Sequence, residues 1–177
     1  MVVSISSHAI APAVVLRGEG AWAEALSKIS ALCSRPLLLG RSQATVSLRS
    51  ALASDLVHSC LTPQPAELRY DCCEEDLQRL ASEAADCDAV LAAGGGKVLD
   101  AGKLLAHRLQ LPCITVPLSA ATCAGWTALS NLYSTHGAFQ GDVALARCPE
   151  LLVFDHGLVR QAPARTLASG IADALAK

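Results

Sequence analysis

The chain has 177 residues, a net charge of −2, 52% hydrophobic residues and 17% charged residues. This length is sufficient for one α/β domain with a substantial core, and the composition excludes an intrinsically disordered chain. Because Lys and Arg are scattered and not interleaved with aromatic residues, the sequence offers no basic surface for nucleic acid, and no apolar run reaches the roughly 18 residues that would span a membrane.

Alternating strand and helix patterns fill the first half of the chain. The predicted elements are a strand at 13–17, a helix at 21–32, a strand at 36–40, a helix at 43–53 and a third strand at 56–61. Each helix shows apolar residues at helical spacing, and each strand is a short apolar run that ends near a turn residue. Two prolines predict a loop at 62–65, because proline removes an N–H donor and fixes φ.

The same alternation continues to the end of the chain. The further elements are a helix that begins at Glu74, a strand at 88–93, a helix that ends at 109, a strand at 112–117, a loop with a short strand at 119–133, a strand at 151–154 and a helix from 163. This order predicts an α/β fold with a parallel sheet flanked by helices on both faces. Because the last helix stops without a glycine cap or a loop, we expect the chain to be cut from a longer protein.

The cysteines and histidines are not spaced as metal ligands. The eight cysteines lie mostly in apolar runs, with one adjacent pair, Cys72-Cys73, and no C-x-x-C, which favours buried thiols over disulfides or zinc. The first residues lack the basic segment of a signal peptide and predict an irregular start before the first strand. These features favour the reducing cytoplasm.

The most informative segment is Gly94-Gly95-Gly96-Lys97, which follows the apolar strand and begins the next helix. A strand, a glycine turn and a helix aim backbone N–H groups and the positive end of the helix dipole at an anion, so a phosphate or pyrophosphate is the expected ligand. Glycine allows close approach, and such turns often need φ > 0. The spacing matches neither G-x-x-x-x-G-K-[ST] nor G-x-G-x-x-G. A plain tight turn, a solvated Lys97 and an Asp100 that only favours the helix start are the alternatives.

Three segments together carry a family resemblance. They are GGGKVLDAGK from residue 94, VPLSAATCAGWTALSNLY from residue 116 and APARTLASGIADALAK from residue 162. With them the chain resembles the N-terminal half of glycerol dehydrogenases, within the iron-containing alcohol dehydrogenase superfamily. The resemblance implies a Rossmann-like NAD(P)-binding domain at 1–155, and at 156–177 the first helical segment of a truncated, all-helical metal-binding domain.

The resemblance also assigns residues to the site. Gly94, Gly95, Gly96, Lys97 and Asp100 would cradle the pyrophosphate and the nicotinamide end of the coenzyme. The residues that would line the coenzyme further are Ser119, Ala120, Ala121, Thr122, Thr127, Leu129 and Tyr133. Asp173 would be the first ligand of a divalent metal, Zn or Fe, whose two histidine ligands in the family lie beyond this chain's end.

The implied reaction is hydride transfer between an alcohol and the nicotinamide. A metal ion would polarise the substrate hydroxyl and stabilise the alkoxide from which hydride departs. Since one carboxylate holds a metal weakly, we expect the chain as given to bind metal poorly and to catalyse nothing.

Two residues depart from the glycerol dehydrogenase pattern. Cys123 stands where the family has an aspartate beside the polyol, and a thiol cannot accept a pair of hydroxyl hydrogen bonds as a carboxylate does. Glycerol is therefore not favoured as the substrate, and a larger or less polar alcohol, or an aldehyde reduced in the other direction, stays open. Arg41 stands after the second strand, where NAD-selective relatives have an aspartate, so NADP is slightly favoured over NAD.

Two other functions stay open at this stage. One is a sugar cyclase of the dehydroquinate synthase type, although the loop Pro117–Thr122 looks more like that of the dehydrogenases. The other is a nucleotide-binding fragment without catalysis. The expected partners are a small-molecule alcohol or aldehyde, with neither nucleic acid nor membrane, and the resemblance suggests a homo-oligomer.

Overall fold

A six-stranded parallel sheet forms the centre of the chain, in a computed structural model that describes residues 11–176. The irregular start predicted before the first strand lies mainly outside the described residues. The strands of this sheet are β1 (Val14–Gly18), β2 (Pro36–Gly40), β3 (Gln64–Glu67), β4 (Ala89–Gly94), β5 (Cys113–Pro117) and, later in the chain, Leu151–Asp155.

A hairpin stands apart from the sheet. Its two antiparallel strands, β6 (Leu129–Tyr133) and β7 (Phe139–Ala144), precede the last strand of the sheet, which is therefore β8. The six strands of the sheet lie in the order β1-β8-β5-β4-β2-β3, and every neighbouring pair is parallel.

The helices connect and cover the strands. They are α1 (Ala21–Leu32), α2 (Val46–His58), α3 (Glu74–Glu83), α4 (Gly96–Leu109), α5 (His156–Val159) and α6 (Ala164–Leu175). Short 3-10 turns occur at Gln43–Thr45 and Ala124–Trp126. Within residues 11–176, no helix has the length and apolarity needed to cross a membrane.

The sheet is apolar on both faces because helices cover both. Along β2, Leu37 and Leu39 pack into one core with α3 and α4, whereas Leu38 packs into the other core with α1 and α2. This alternation explains the continuous apolar runs of the central strands, which are typical of a parallel sheet buried on both sides. The predicted α/β sheet is thus confirmed.

The prediction was wrong at the sheet edge beyond β2. The segment predicted as a third strand, 56–61, begins inside α2, which continues to His58, and the strand lies instead at Gln64–Glu67, partly in the predicted loop. Pro65 is compatible with β3 because this edge strand pairs only with β2. On its unpaired side no neighbouring strand needs an N–H donor, so a proline there loses no hydrogen bond. The second hairpin strand, β7, was also missed, since its side chains are mostly exposed and carry no apolar alternation.

Close packing of α4 against β4 depends on Gly102. A Cβ at Gly102 would lie 2.4 Å from the Cβ of Ala92 on β4. Both atoms are fixed directly to the backbone, so neither can rotate away. The helix that follows the glycine turn therefore lies close to its own strand, and Gly102 is the residue that allows this packing.

We expect Gly102→Val to lower the free energy of unfolding by about 1–3 kcal/mol, because the added side chain overpacks the α4–β4 contact. Denaturant unfolding followed by circular dichroism measures the loss. His107→Val, a β-branched substitution at a half-buried position of the same helix, is the control and should cost less than about 1 kcal/mol. Equal losses in the two variants would contradict the packing argument.

Candidate functional site

The carboxyl edge of the sheet between β2 and β4 has the strand connectivity of a ligand-binding crevice. These two strands are neighbours in the sheet, but the chain leaves them in opposite directions. From β2 it passes to β3, at the sheet edge beyond β2, and from β4 it passes to β5, on the far side of β4. Helix α2 follows β2 onto one face, and α4 follows β4 onto the opposite face. A sheet has its ligand crevice at such a switch point, where the connections of adjacent strands diverge. We call this space the β2–β4 crevice.

The glycine turn at the end of β4 forms one wall of the crevice. A Cβ on Gly94 would lie 2.8 Å from Cβ of Val98, and a Cβ on Gly96 would lie 3.0 Å from Cγ2 of Thr122. The nearest atom to a Cβ on Gly95 would be Oγ of Ser119, at 3.9 Å. Gly95 is exposed, so its missing side chain leaves room for a ligand against the main chain.

The expected positive φ is not found at this turn. Among the described glycines, left-handed φ values occur elsewhere in the chain, and Gly95 has φ −86° and ψ −175°, which other residues also adopt. Glycine is therefore required here for space and not for backbone freedom. No side chain among the described residues caps α4, and the first turn of a helix has N–H groups without intrahelical partners. The turn thus keeps the backbone N–H groups on which the predicted anion site depends.

A buried carboxylate, Asp71, joins two cations at this crevice. Arg41 Nη1 donates to Oδ1 of Asp71 at 2.5 Å, and Lys97 Nζ donates to Oδ2 at 2.5 Å. The Asp71 side chain is 9% exposed, against 37% for Arg41 and 51% for Lys97. Burial by itself would raise the pKa of Asp71, but the hydrogen bonds from Lys97 and Arg41 outweigh it and hold this pKa below its ordinary value.

The hairpin brings a further predicted residue to the same place. Tyr133 lies with its ring centroid 5.4 Å from Nζ of Lys97, a distance suited to a cation–π contact. The backbone N–H of Tyr133 donates to the carbonyl of Cys72 at 2.8 Å, which attaches the hairpin to the loop that carries Asp71. Lys97 and Tyr133, far apart in sequence, therefore lie side by side.

Arg49 fixes the turn that carries Arg41. Its guanidinium donates to the backbone carbonyls of Arg41 at 2.9 Å and Ser42 at 3.1 Å. The space is made by Gly40, where a Cβ would lie 2.0 Å from Cδ of Arg49. Sequence reasoning missed both Arg49 and Asp71, because neither stands in a recognisable motif. A glycine at the end of a strand followed nine residues later by arginine is too common a pattern to reveal this contact.

Asp100, Thr127 and Leu129 were predicted to contact the coenzyme. They lie instead on the other side of α4, around the buried Lys103. Nζ of Lys103 donates to the Thr127 carbonyl at 3.2 Å and the Thr127 hydroxyl at 3.0 Å, and also to the Leu129 carbonyl. Asp100 Oδ1 lies 3.2 Å from the same ammonium group. Burial raises the pKa of Asp100, and Lys103 opposes that shift without cancelling it. These contacts attach the start of the hairpin to α4.

The loop after β5 separates the crevice from a second space, the Cys123 cleft. This cleft has a volume of about 380 Å³ and is lined by Cys123, Trp126, Phe154, Gly170 and Asp173, with Ala120 and Thr122 of the loop. Helix α6 approaches the loop so closely that a Cβ on Gly170 would lie 1.8 Å from the Ala120 carbonyl oxygen. Cys123 and Asp173, predicted near substrate and metal, thus share one cleft. Ala121, between Ala120 and Thr122 in the same loop, is half-buried.

The metal site predicted at Asp173 is not complete in residues 11–176. Among these residues, no group of three His, Cys, Asp or Glu side chains is arranged to hold a metal ion. Asp173 and Cys123 offer one carboxylate and one thiol to the cleft, whereas catalytic metal sites commonly use three protein ligands. The described residues by themselves therefore do not supply a complete set of metal ligands.

Comparisons with known proteins bear on the family and the fold of this chain. Residues 12–156 match the profile of the family described as iron-containing alcohol dehydrogenase. An uncharacterized oxidoreductase of Synechocystis is 46% identical over 97% of this chain and 44% of its own length, and a glycerol dehydrogenase of Escherichia coli is 35% identical over 82% of this chain and 40% of its own.

A solved structure gives the same result for the fold. A probable glycerol dehydrogenase from Sinorhizobium meliloti superposes with a TM-score of 0.84 at 28% identity, covering 96% of this chain and 47% of that one. The chain spans about half the length of the relatives that it matches.

We expect Lys103→Met to lower the free energy of unfolding by about 3 kcal/mol, because it leaves buried carbonyl groups and Asp100 without their cationic donor. Hydrogen exchange should show faster opening of the β6–β7 hairpin than of β4. Arg108→Met removes an exposed cation from the same helix and serves as the matched control, with a loss below about 1 kcal/mol. Unchanged hairpin exchange in Lys103→Met would show that Lys103 does not anchor it.

Proposed function

Because the chain belongs to the iron-containing alcohol dehydrogenase family, we propose that its β2–β4 crevice binds NAD(P) for hydride transfer between an alcohol and its carbonyl form. The observation that carries the proposal is the exposed main chain at Gly95, at the switch point of the sheet, where the nearest atom to an added Cβ is Oγ of Ser119 at 3.9 Å. The relatives named as glycerol dehydrogenases favour this reaction over the cyclisation of the dehydroquinate synthase type.

The chain's own residues suit a dinucleotide. The pyrophosphate would lie against Gly95 and the first turn of α4, with Lys97 supplying positive charge and Ser119 at the opposite wall. The adenosine ribose would lie towards Arg41 at the end of β2. A nicotinamide bound in this way supplies the hydride acceptor or donor, and the protein orients it and excludes water.

We assign the preference for NADP to Arg41. A guanidinium at the end of the second strand can bind the 2′-phosphate in two parallel hydrogen bonds, whereas a carboxylate at this point would bind the two ribose hydroxyls and repel a phosphate. The side chain is 37% exposed, so it can be reached from solvent.

The substrate would lie in the Cys123 cleft, next to the nicotinamide end of the coenzyme. The lining combines Trp126 and Phe154, whose ring centroids are 5.2 Å apart, with the thiol of Cys123. A mostly apolar lining suits an alcohol or aldehyde with fewer hydroxyl groups than a polyol. Asp173 would contribute one ligand to a divalent metal whose other ligands come from outside the described residues.

Calorimetric titration of the chain with NADPH and NADH tests the proposal. We expect binding of at least one coenzyme, and we expect Gly95→Ala to weaken it more than about tenfold, since a methyl group would occupy the space of a phosphate oxygen. Because Gly95 has an ordinary φ and an added Cβ would meet no atom closer than Oγ of Ser119 at 3.9 Å, this variant should lose less than about 1 kcal/mol of stability. No binding to the unmodified chain, or full affinity in Gly95→Ala, would refute the proposal.

Thiol labelling gives an independent prediction about the position of the nicotinamide end. Cys60 and Cys123 are exposed, whereas burial raises the pKa of Cys33, Cys72 and Cys113 to about 12. An alkylating reagent should therefore modify Cys60 and Cys123 first, because it reacts with the thiolate.

Saturating coenzyme should slow labelling of Cys123 about tenfold or more, as measured by peptide mass spectrometry, because the bound nicotinamide end would cover the loop. Cys60 is the internal control. It lies between α2 and β3, at the opposite edge of the sheet, and its labelling should not change. Equal rates at Cys123 with and without bound coenzyme would place the nicotinamide elsewhere.

A further inference from the structure

Asp71 occupies a position that no coenzyme-binding motif assigns. We infer that Asp71 determines coenzyme specificity: its carboxylate holds Arg41 by an ion pair and so restrains the preference for NADP that Arg41 alone would give. This inference rests on the proposed function, since it concerns the coenzyme bound in the β2–β4 crevice. Coenzyme specificity would then depend on a residue of the β3–α3 loop as well as on Arg41 at the end of β2.

The first step of the argument is geometric. One carboxylate uses its two oxygens for two different cations, Arg41 through Oδ1 and Lys97 through Oδ2, each at 2.5 Å. Arg41 stands at the adenosine end of the crevice, and Lys97 stands in the first turn of α4. Any phosphate that uses either cation must therefore share it with Asp71 or displace it.

The second step is that Asp71 cannot easily move away. Its side chain is 9% exposed, and a Cβ on Gly137 of the hairpin turn would lie 3.3 Å from its Oδ2. The adjoining carbonyl of Cys72 accepts a hydrogen bond from Tyr133. The carboxylate is thus fixed between the hairpin and the sheet, and the more exposed side chains of Arg41 and Lys97 are the mobile partners.

The third step compares the charges of the two coenzymes. Both carry the pyrophosphate, so the effect of Asp71 on Lys97 is common to NAD and NADP. Only NADP carries the 2′-phosphate, which adds about −1.5 to −2 charges at pH 7. The fixed charge of Asp71 therefore repels NADP more than NAD, and it also competes with the 2′-phosphate for the guanidinium of Arg41.

Asp71→Asn tests the inference by removing the charge while keeping the shape. We expect the ratio of the dissociation constants, NAD over NADP, to rise by about three- to thirtyfold when both are measured by calorimetry at one ionic strength. Asp71→Glu retains a carboxylate and should keep the ratio within about threefold of the unmodified chain. Melting temperatures establish that each variant is folded.

Two further variants separate this role from general charge effects. Glu74→Gln removes one negative charge three residues away, where Glu74 pairs with Arg108 at the far end of α4, and it should leave the ratio unchanged. In an Arg41→Met background, Asp71→Asn should raise the ratio clearly less, because the competition for the guanidinium no longer exists and only the direct repulsion between Asp71 and the 2′-phosphate is removed.

The outcomes distinguish the two proposals. If the unmodified chain binds neither coenzyme, the proposed function and the role of Asp71 both fall. If a coenzyme binds but Asp71→Asn leaves the ratio within about twofold, or weakens both coenzymes in parallel, only the role of Asp71 is refuted. A rise in the ratio of undiminished size in the Arg41→Met background would also refute it, because the ion pair with Arg41 would then play no part.

Discussion

The close packing of α4 against β4, which Gly102 and the glycine turn allow, governs the rest of this structure. At Gly102 the helix lies so near its own strand that a methyl group would collide with Ala92. At the turn itself, Val98 and Thr122 occupy the space beside Gly94 and Gly96 and leave Gly95 open. The amino end of α4 is therefore held at the carboxyl edge of the sheet, with an uncovered backbone where adjacent connections diverge.

Helix α4 presents its charged residues in two directions with different consequences. Lys97 lies at the crevice, is half exposed and shares Asp71 with Arg41. Asp100 and Lys103 lie towards the hairpin, where the ammonium group is almost fully buried and bonded to backbone carbonyls. A buried and satisfied cation contributes to structure, whereas an exposed cation beside an open backbone can exchange its carboxylate for a phosphate. One short motif thus supplies both an anchor for the hairpin and an exposed cation at the proposed coenzyme site.

The loop after β5 relates the two spaces of the proposed site. Ser119 lies opposite Gly95 in the β2–β4 crevice, and Cys123, four residues later, lines the cleft with Asp173. The near contact between Gly170 and Ala120 keeps α6 against this loop. Coenzyme and substrate bound on the two sides would therefore approach each other across a few residues of backbone, the arrangement that hydride transfer requires.

The sequence by itself determined the central strands, the glycine turn and most helices, because their apolar runs and spacings reflect burial that any parallel sheet imposes. It did not determine the edge strand β3 or the hairpin strand β7, whose exposed residues carry no periodic signal. The sequence also did not reveal the roles of Asp71 and Arg49. Their roles arise from contacts between segments that are distant in sequence; Arg41 and Lys97, for example, are 56 positions apart. Only the folded sheet determines which charged side chains meet at its carboxyl edge.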